Sequence, residues 1–400
     1  MKERRSGNRV KSAEDEAISP IASEPSSASL SAEGDSALHS VVFIKERAAQ
    51  VGSAQPVLLL RGTPVERGTA QTVDLPIGLF SDHTPGTMSV RVVHGQRVGP
   101  TVFLSAAVHG DEVIGVEIVR RVLAAVDPAR LRGTLLAVPI VNTFGFLARS
   151  RYLPDRRDLN RSFPGAADGS LASRMANLFV DEIVSRSSLG IDLHSAAIHR
   201  TNLPQVRITD GRGGLRELAE TFGAPVIVRS PVRPGSLREV AARHQVPVLV
   251  YEAGEGLRFD ETAVRAGVAG VMRVLGALGM LPKRGAGVPR PAKTRPVFVT
   301  NSRWVRAPES GLVRLLVDIG ASVEVGERLA VVADPFGERE VAVTASVPGI
   351  VIGRATMPIV NAGDALFHVA RVSDAERGAE AVEGMDALGD DPLFDEDEIV

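Results

Sequence analysis

Hydrophobic and polar positions change period several times along the chain, and the changes mark out its elements. ValPheLeuSerAlaAla at 102–107 is a nearly unbroken apolar run, which predicts a buried strand. From Glu112 to about Val126 the apolar positions recur at helical spacing. LeuLeuAlaValProIle at 135–140 reads as a second strand, and 171–185 as a helix. The alternation continues with strand 189–193, helix 213–223, strand 225–228, helix 236–245, strand 247–252 and a long helix over 260–278. Strands alternating with helices predict a three-layer α/β/α domain around a mostly parallel central sheet. In such sheets ligands sit beyond the carboxyl ends of the strands, so functional residues are expected just after strands.

Either side of this core the period is different. ValLeuLeuLeu at 57–60, GlnThrValAspLeuPro at 71–76 and MetSerValArgValVal at 88–93 read as strands, a β-rich lead-in over about 55–99. Residues 283–296 form a linker of Pro, Gly and basic residues. Beyond it lies an internal repeat: Gly311-Leu-Val and Gly326-Glu-Arg-Leu are matched by Gly349-Ile-Val and Gly363-Asp-Ala-Leu. Two related half-units of short strands predict a C-terminal all-β domain, barrel- or sandwich-like, over 297–372. It resembles the biotinyl/lipoyl-carrier type of β domain. A carrier needs an acceptor lysine between the half-units, and the last lysine of the chain is Lys293, so a structural role is expected. Residues 1–40, with ten serines and no Phe, Trp or Tyr, cannot bury enough apolar surface to offset ordering entropy. They and the acidic stretch 373–400 are expected to be disordered. The catalytic domain is thereby bounded to 41–282.

Composition narrows the chemistry. The 400 residues include no cysteine, which excludes disulfides, thiol catalysis and Cys-ligated metal. Any metal is held by His, Asp or Glu. Residues 374–400 hold eleven Asp/Glu against one Arg, so the rest of this chain of net charge −2 is mildly basic. Those basic residues form no stripe and aromatics are 4%, which argues against a nucleic-acid surface. No apolar run reaches the ~20 residues that cross a bilayer, and the charged start leads into no apolar leader. The expectation is a cytoplasmic protein that binds neither nucleic acid nor membrane.

Chemistry-bearing residues cluster at the predicted strand ends. The first strand runs into Val108-His109-Gly110-Asp111-Glu112, where a gap of three lets an imidazole and a carboxylate converge. A later strand ends in Asp192-Leu193-His194-Ser195, with Asp192 on the same face as His194 and able to orient its imidazole. His109, Glu112 and His194 together make a His2Glu set with an open fourth position, the catalytic arrangement for zinc. His199 is a rival ligand, further past the strand. Strand 247–252 closes on Glu252, a carboxylate costly to bury unless paired or functional, and placed to act as general base. Glu255, placed in the following loop, ranks behind it. Between the second and third strands lie Arg149, Arg151, Asn160 and Arg161, groups suited to binding carboxylates and stabilising an oxyanion.

His109-Gly-Asp-Glu112, Arg151-Tyr, Asp158-Leu-Asn160-Arg161, Asp192-Leu-His194 and Glu252-Ala-Gly occur in an order that resembles the succinylglutamate desuccinylase/aspartoacylase family of the zinc carboxypeptidase clan. The resemblance spans about residues 70–282, and the C-terminal β region also looks like the domain such proteins carry. It implies a zinc-carboxypeptidase-like fold with one zinc per chain on His109, Glu112 and His194. It implies Glu252 as the base and Arg151 as the group polarising the scissile carbonyl. Asn160 and Arg161 would hold the substrate carboxylate. Two residues are inserted between Arg151 and Asp158 relative to aspartoacylase, so Arg149 is the alternative to Arg151 for polarising the carbonyl and is otherwise a substrate-binding candidate. The implied reaction is hydrolysis of the amide of a small N-acyl amino acid. A peptide-trimming metallocarboxypeptidase and an N-acetyl-diamino-acid deacetylase are the alternatives, and homo-oligomerisation is left open.

Overall fold

The computed structural model describes residues 57–372 apart from 81, 210–213, 283–287, 291 and 293–294. The expectations for residues 1–40 and 373–400, and for much of the linker, lie outside the described residues. In chain order the described elements begin with β1 (Leu58–Leu60), β2 (Thr63–Val65), β3 (Thr69–Leu79), β4 (Pro85–His94), β5 (Arg97–Ala106) and α1 (Ile114–Ala125). Then come β6 (Arg132–Val138), α2 (Thr143–Ala148), α3 (Leu171–Glu182), β7 (Leu189–Ala196), β8 (Arg200–Ile208) and α4 (Leu215–Phe222). They are followed by β9 (Val226–Arg229), α5 (Leu237–Arg243), β10 (Val248–Glu255) and α6 (Glu261–Ala277).

β1 and β2 pair with each other in a separate two-stranded sheet, while β3 to β10 make one large sheet in the order β3-β4-β6-β5-β7-β10-β8, with β9 against β8. The middle of the sheet, β6-β5-β7-β10, is parallel. Antiparallel strands flank it: the β3-β4 hairpin joins β6 on one side, and β8 joins β10 on the other. Of the three lead-in strands, those at 71–76 and 88–93 therefore continue the sheet as β3 and β4, while that at 57–60 stands apart as β1, paired with β2.

Period-two alternation sends successive side chains to opposite faces. On β5, Val102, Leu104 and Ala106 face the layer of α1, α4 and α6, while Phe103 faces the layer of α3 and α5. β10 divides in the same way, Leu249, Tyr251 and Ala253 to one side and Val248 and Val250 to the other. Each fully buried residue of this size contributes roughly 1.5–3 kcal/mol, so two complete apolar layers fix the sheet between helices. Asp192 and His194 alternate with Ile191 and Leu193, and Glu252 with Tyr251 and Ala253, so all three polar groups lie on the face opposite those apolar residues.

Strand β8 has no counterpart in the predicted pattern. Pro204 interrupts its apolar run, and proline argues against a central strand. The register of β8 against β10 shifts between Asn202 and Gln205, so Pro204 sits where no ladder donor is required.

Beyond the linker come β11 (Val297–Val299), β12 (Ser302–Arg306), β13 (Gly311–Leu315), β14 (Ser322–Val323) and β15 (Arg328–Ala333). The last elements are β16 (Glu340–Thr344), β17 (Gly349–Ala355), β18 (Ile359–Val360) and β19 (Ala365–Ala370). The internal repeat corresponds to two antiparallel pairs, β13-β15 and β17-β19. Its turn glycines Gly326 and Gly363 have φ of 83° and 87°, a left-handed conformation that favours glycine. The two pairs separate: β13-β15 lies in a four-stranded sheet, whereas β17-β19 extends the large sheet through β17 against β8.

Candidate active site

The carboxyl ends of β5, β7 and β10 meet at one place. β5 ends at Ala106, and the chain turns through His109 to Glu112, whose N–H donates to the His109 carbonyl at 3.1 Å. Gly110 is required here by close approach: a Cβ on it would lie 1.9 Å from the Gly145 carbonyl carbon. Gly145 is in α2, a short helix started by Asn142, whose side chain accepts from the Gly145 N–H at 2.8 Å. His194 comes from β7, and Glu252 is its register partner on β10.

His109, Glu112 and His194 each bring one ligand atom within 4.8 Å of the others, and all three are buried. The Glu112 carboxylate lies between the imidazoles, Oε1 2.7 Å from His109 Nδ1 and Oε2 2.6 Å from His194 Nδ1. A second carboxylate stands behind each ring. Asp158 Oδ1 is 3.2 Å from His109 Nε2, and Asp192 Oδ2 is 2.8 Å from His194 Nε2. Ser105 Oγ donates to the other Asp192 oxygen at 2.7 Å. An outer carboxylate on Nε2 fixes ring orientation and turns Nδ1, here against Glu112, toward the point where a cation would sit. The donor set is thus two imidazole nitrogens and one carboxylate, each backed by hydrogen bonds, which is chemistry that fits a divalent zinc site.

The electrostatics agree with cation binding. Burial alone raises the Glu112 pKa, but the charges and hydrogen bonds of His109 and His194 outweigh it and hold this carboxyl well below the usual range. Burial lowers the pKa of both imidazoles, and the surrounding carboxylates reverse this, so His109 is raised and His194 raised well above its ordinary value. Surrounding oxygens that favour positive charge on both rings also favour a metal between them.

Arg151 Nη2 is 3.1 Å from Asp158 Oδ2 and its Nη1 3.3 Å from Glu112 Oε1, so its guanidinium stands at the edge of this cluster. Asn160 belongs to a short 3-10 turn started by Asp158. Its Oδ1 accepts from the Leu237 N–H at 2.8 Å, which leaves its amide NH2, a donor, to offer. Arg161 follows it. His109, Glu112, His194, Arg151, Asn160, Arg161 and Glu252 all line one cavity of about 220 Å3. Glu252 Oε2 accepts from Asn202 Nδ2 at 3.1 Å, and its Oε1 is 3.5 Å from Arg207 Nη1.

Three candidates are not brought in. Arg149 is exposed with φ 52° at the end of α2, outside the cavity lining. His199 is exposed in the turn before β8, where its N–H donates to Glu255 Oε1 at 3.0 Å. Glu255 is the last residue of β10, not a loop residue, and that hydrogen bond holds it away from the lining.

Sequence reasoning missed other groups. Asp158 was visible only as part of a motif, without its hold on His109. Arg207 and Asn202 lie on the unrecognised β8. Arg233 and Arg238 flank the start of α5. Trp304 lines the cavity from β12, over a hundred residues beyond His194. Its ring stacks on His368 at 4.6 Å and 7°, and the Arg200 guanidinium lies 5.3 Å from its centroid. Burial, and then the charge of Arg207, push the His368 pKa down to about 4, so the imidazole backing Trp304 is neutral at pH 7. No local pattern signals such a contact.

Residues 98–278 match the Succinylglutamate desuccinylase/Aspartoacylase catalytic domain. An N-alpha-acetyl-L-2,4-diaminobutyric acid deacetylase of Halomonas elongata is 27% identical over 338 residues, 82% of this chain and 98% of that protein. Among solved structures, the product-bound ectoine utilization protein EutE (DoeB) of Ruegeria pomeroyi is 25% identical with a TM-score of 0.69, covering 81% of this chain and 100% of that one. A succinylglutamate desuccinylase/aspartoacylase of Rhodobacter sphaeroides is also 25% identical, with a TM-score of 0.68, covering 76% of this chain and 95% of its own.

Proposed function

We propose that this chain, whose residues 98–278 form a catalytic domain of the succinylglutamate desuccinylase/aspartoacylase family, is a zinc-dependent hydrolase that cleaves the amide bond of an N-acyl amino acid. The observation that supports it most is the convergence of His109, Glu112 and His194 in a cavity that Glu252 also lines. Zinc at a His2Glu site supplies Lewis-acid chemistry and lowers the pKa of water toward about 7. Glu252, next to His194 across paired strands, takes the proton of the attacking water and delivers it to the leaving amine. The Arg151 guanidinium stabilises negative charge developing on the scissile carbonyl oxygen. Asn160 and Arg161 hold the carboxylate of the amino acid through donor groups alone. The products are a carboxylic acid and a free amino acid.

The C-terminal strands serve this reading as a wall of the cavity, through Trp304, and not as a carrier. A cytoplasmic location and small-molecule substrates belong to the same proposal. No described helix is long and apolar enough to cross a membrane.

The test is to purify the full chain, measure its metal content, and compare N-acyl amino acids with peptides of similar size. About one zinc per chain and turnover of an N-acyl amino acid are expected. Release of C-terminal residues from peptides, with no N-acyl amino acid turned over, would replace this reading with a carboxypeptidase. The Halomonas elongata relative makes N-acetyl-L-2,4-diaminobutyrate one of the compounds to include.

A further inference from the structure

Among the described residues three carboxylates line the cavity, and two of them, Glu112 and Asp192, are locked against imidazoles. Glu252 is held differently, by strand β8. Its Oε2 accepts from Asn202 Nδ2 at 3.1 Å, and its Oε1 stands 3.5 Å from Arg207 Nη1. Asn202 and Arg207 are five residues apart, so in a regular strand they would face opposite sides of the sheet. The register shift prevents that. Gln205 pairs with Glu252 and Asn202 with Gly254, so three steps along β8 match two along β10. The extra residue is a bulge, which re-aims the side chains beyond it. It turns Asn202 to the face from which Arg207 also reaches Glu252.

The bulge is in turn held by the C-terminal strands. β17 lies antiparallel on the other edge of β8, with Gly353 opposite Asn202. A Cβ on Gly353 would lie 3.0 Å from Asn202 Oδ1, tight enough that the amide would have to shift by a few tenths of an ångström. The bare glycine therefore makes room for the buried Asn202 side chain. At the other end of the bulge, Gln205 Nε2 donates to the Ile352 carbonyl at 3.2 Å. Both ends are thus tied to β17, Asn202 by ladder pairing and Gln205 by its amide.

We propose that the C-terminal β domain positions the proposed base: Gly353 on β17 seats Asn202, and Asn202, with Arg207, holds the Glu252 carboxylate in the orientation from which it takes the proton of water. This rests on the reading of Glu252 as general base. Asn202 and Gly353 are positioning residues that act through Glu252. A carboxylate free to turn samples rotamers in which neither oxygen reaches the water, and misplacing a reacting group by ~1 Å can cost ~100-fold in rate. The amide removes that freedom before substrate arrives, and β17 fixes the amide.

The zinc-loaded full chain is assayed on whichever of N-acetyl-L-alanine, N-acetyl-L-glutamate and N-acetyl-L-2,4-diaminobutyrate the wild type hydrolyses fastest. Asn202→Ala should lower kcat roughly 10- to 100-fold, with zinc content unchanged and KM within about twofold. Gly353→Ala, at a residue outside the cavity lining, should lower kcat roughly threefold or more. Coupling separates positioning from damage to the fold. In Glu252→Gln, adding Asn202→Ala should change the remaining rate by less than about twofold, because the group it acts on is already gone. In Asn202→Ala, adding Gly353→Ala should likewise change little. Losses that multiply in these double variants would overturn the proposal, and so would a wild-type kcat in either single variant. If Asn202→Ala does not fold, the cycle between Gly353→Ala and Glu252→Gln decides in the same way. A near-wild-type kcat in Glu252→Gln would overturn both the base assignment and the proposal. If peptides are hydrolysed and N-acyl amino acids are not, the deacylase reading falls alone, and the same couplings measured on the peptide uphold or overturn the positioning role.

Discussion

Glu112 lies between two imidazoles that are each backed by a further carboxylate, and single substitutions here should separate holding the metal from doing the chemistry. His194→Ala removes one of the three ligand atoms. It should abolish zinc retention after dialysis, along with activity; full retention would refute the assignment. Glu252→Gln keeps the shape and the Asn202 neighbour but removes the base. It should retain zinc and lower kcat by roughly 100- to 10,000-fold, the usual range for a general base. A kcat near that of the wild type would move the role to another group. Asp158→Ala tests an assignment that came only from the structure. Losing its contact with His109 Nε2 should weaken zinc binding roughly 10- to 100-fold in a chelator competition.

At the scale of elements, α1 and α6 are joined at their surface by a chain of ion pairs. Arg121 donates to Glu261 through both terminal nitrogens, at 2.7 and 2.8 Å, and through Nε to Glu117 at 2.7 Å. Hydrogen bonds from Arg120 and Arg121 lower the Glu117 pKa to about 2. A carboxylate with a depressed pKa adds stability that is fully present above its ordinary value near 4.5 and is lost as pH falls through about 2. Half-exposed Glu261 and competition from water limit the network to about 1 kcal/mol. Arg121→Ala should therefore lower urea-unfolding stability by about 1 kcal/mol at pH 7, and the difference from wild type should shrink toward pH 2. A difference constant across that range would mean that packing of the side chain, not charge, holds the helices together.

For the whole molecule, the sheet does not stop at the catalytic region. β17 pairs with β8 through Gly353↔Asn202, Arg354↔Thr201 and Ala355↔Arg200, and Gln205 donates across the same seam to the Ile352 carbonyl. The strand that carries Arg207 and Asn202 into the cavity is thus held from its far side by the C-terminal strands. Trp304→Ala should raise KM several-fold while changing kcat less, because the ring forms wall, stacked on His368 with Arg200 over its face. A fall in kcat with KM unchanged would give Trp304 a different role. Removing zinc should lower Tm by several degrees, since a ligand at 100 times its Kd adds about 2.7 kcal/mol to the folded state. An unchanged Tm after chelation would count against a bound metal at this site.

By itself the sequence determined the alternation of strands and helices, because each buried face imposes its own period on the residues that fill it. It also determined the candidate ligands. His109, Glu112 and His194 stand at strand ends within short motifs, and a motif is a local arrangement that chain geometry preserves. The half-unit repeat of the C-terminal region was legible for the same reason, down to turn glycines whose φ demands that residue. Tertiary structure alone decided what meets across distance. β8 was hidden by Pro204, which only its register shift against β10 accommodates. The hold of Asp158 on His109 spans 49 residues, and Trp304 reaches the cavity from a different β region. Arg149 and Arg151 are alike in composition and two residues apart, yet one is exposed at a helix end and the other paired beside Glu112. Periodicity records which face of an element is buried; which element that face then meets is set by sheet order, and sheet order leaves no local mark on the chain.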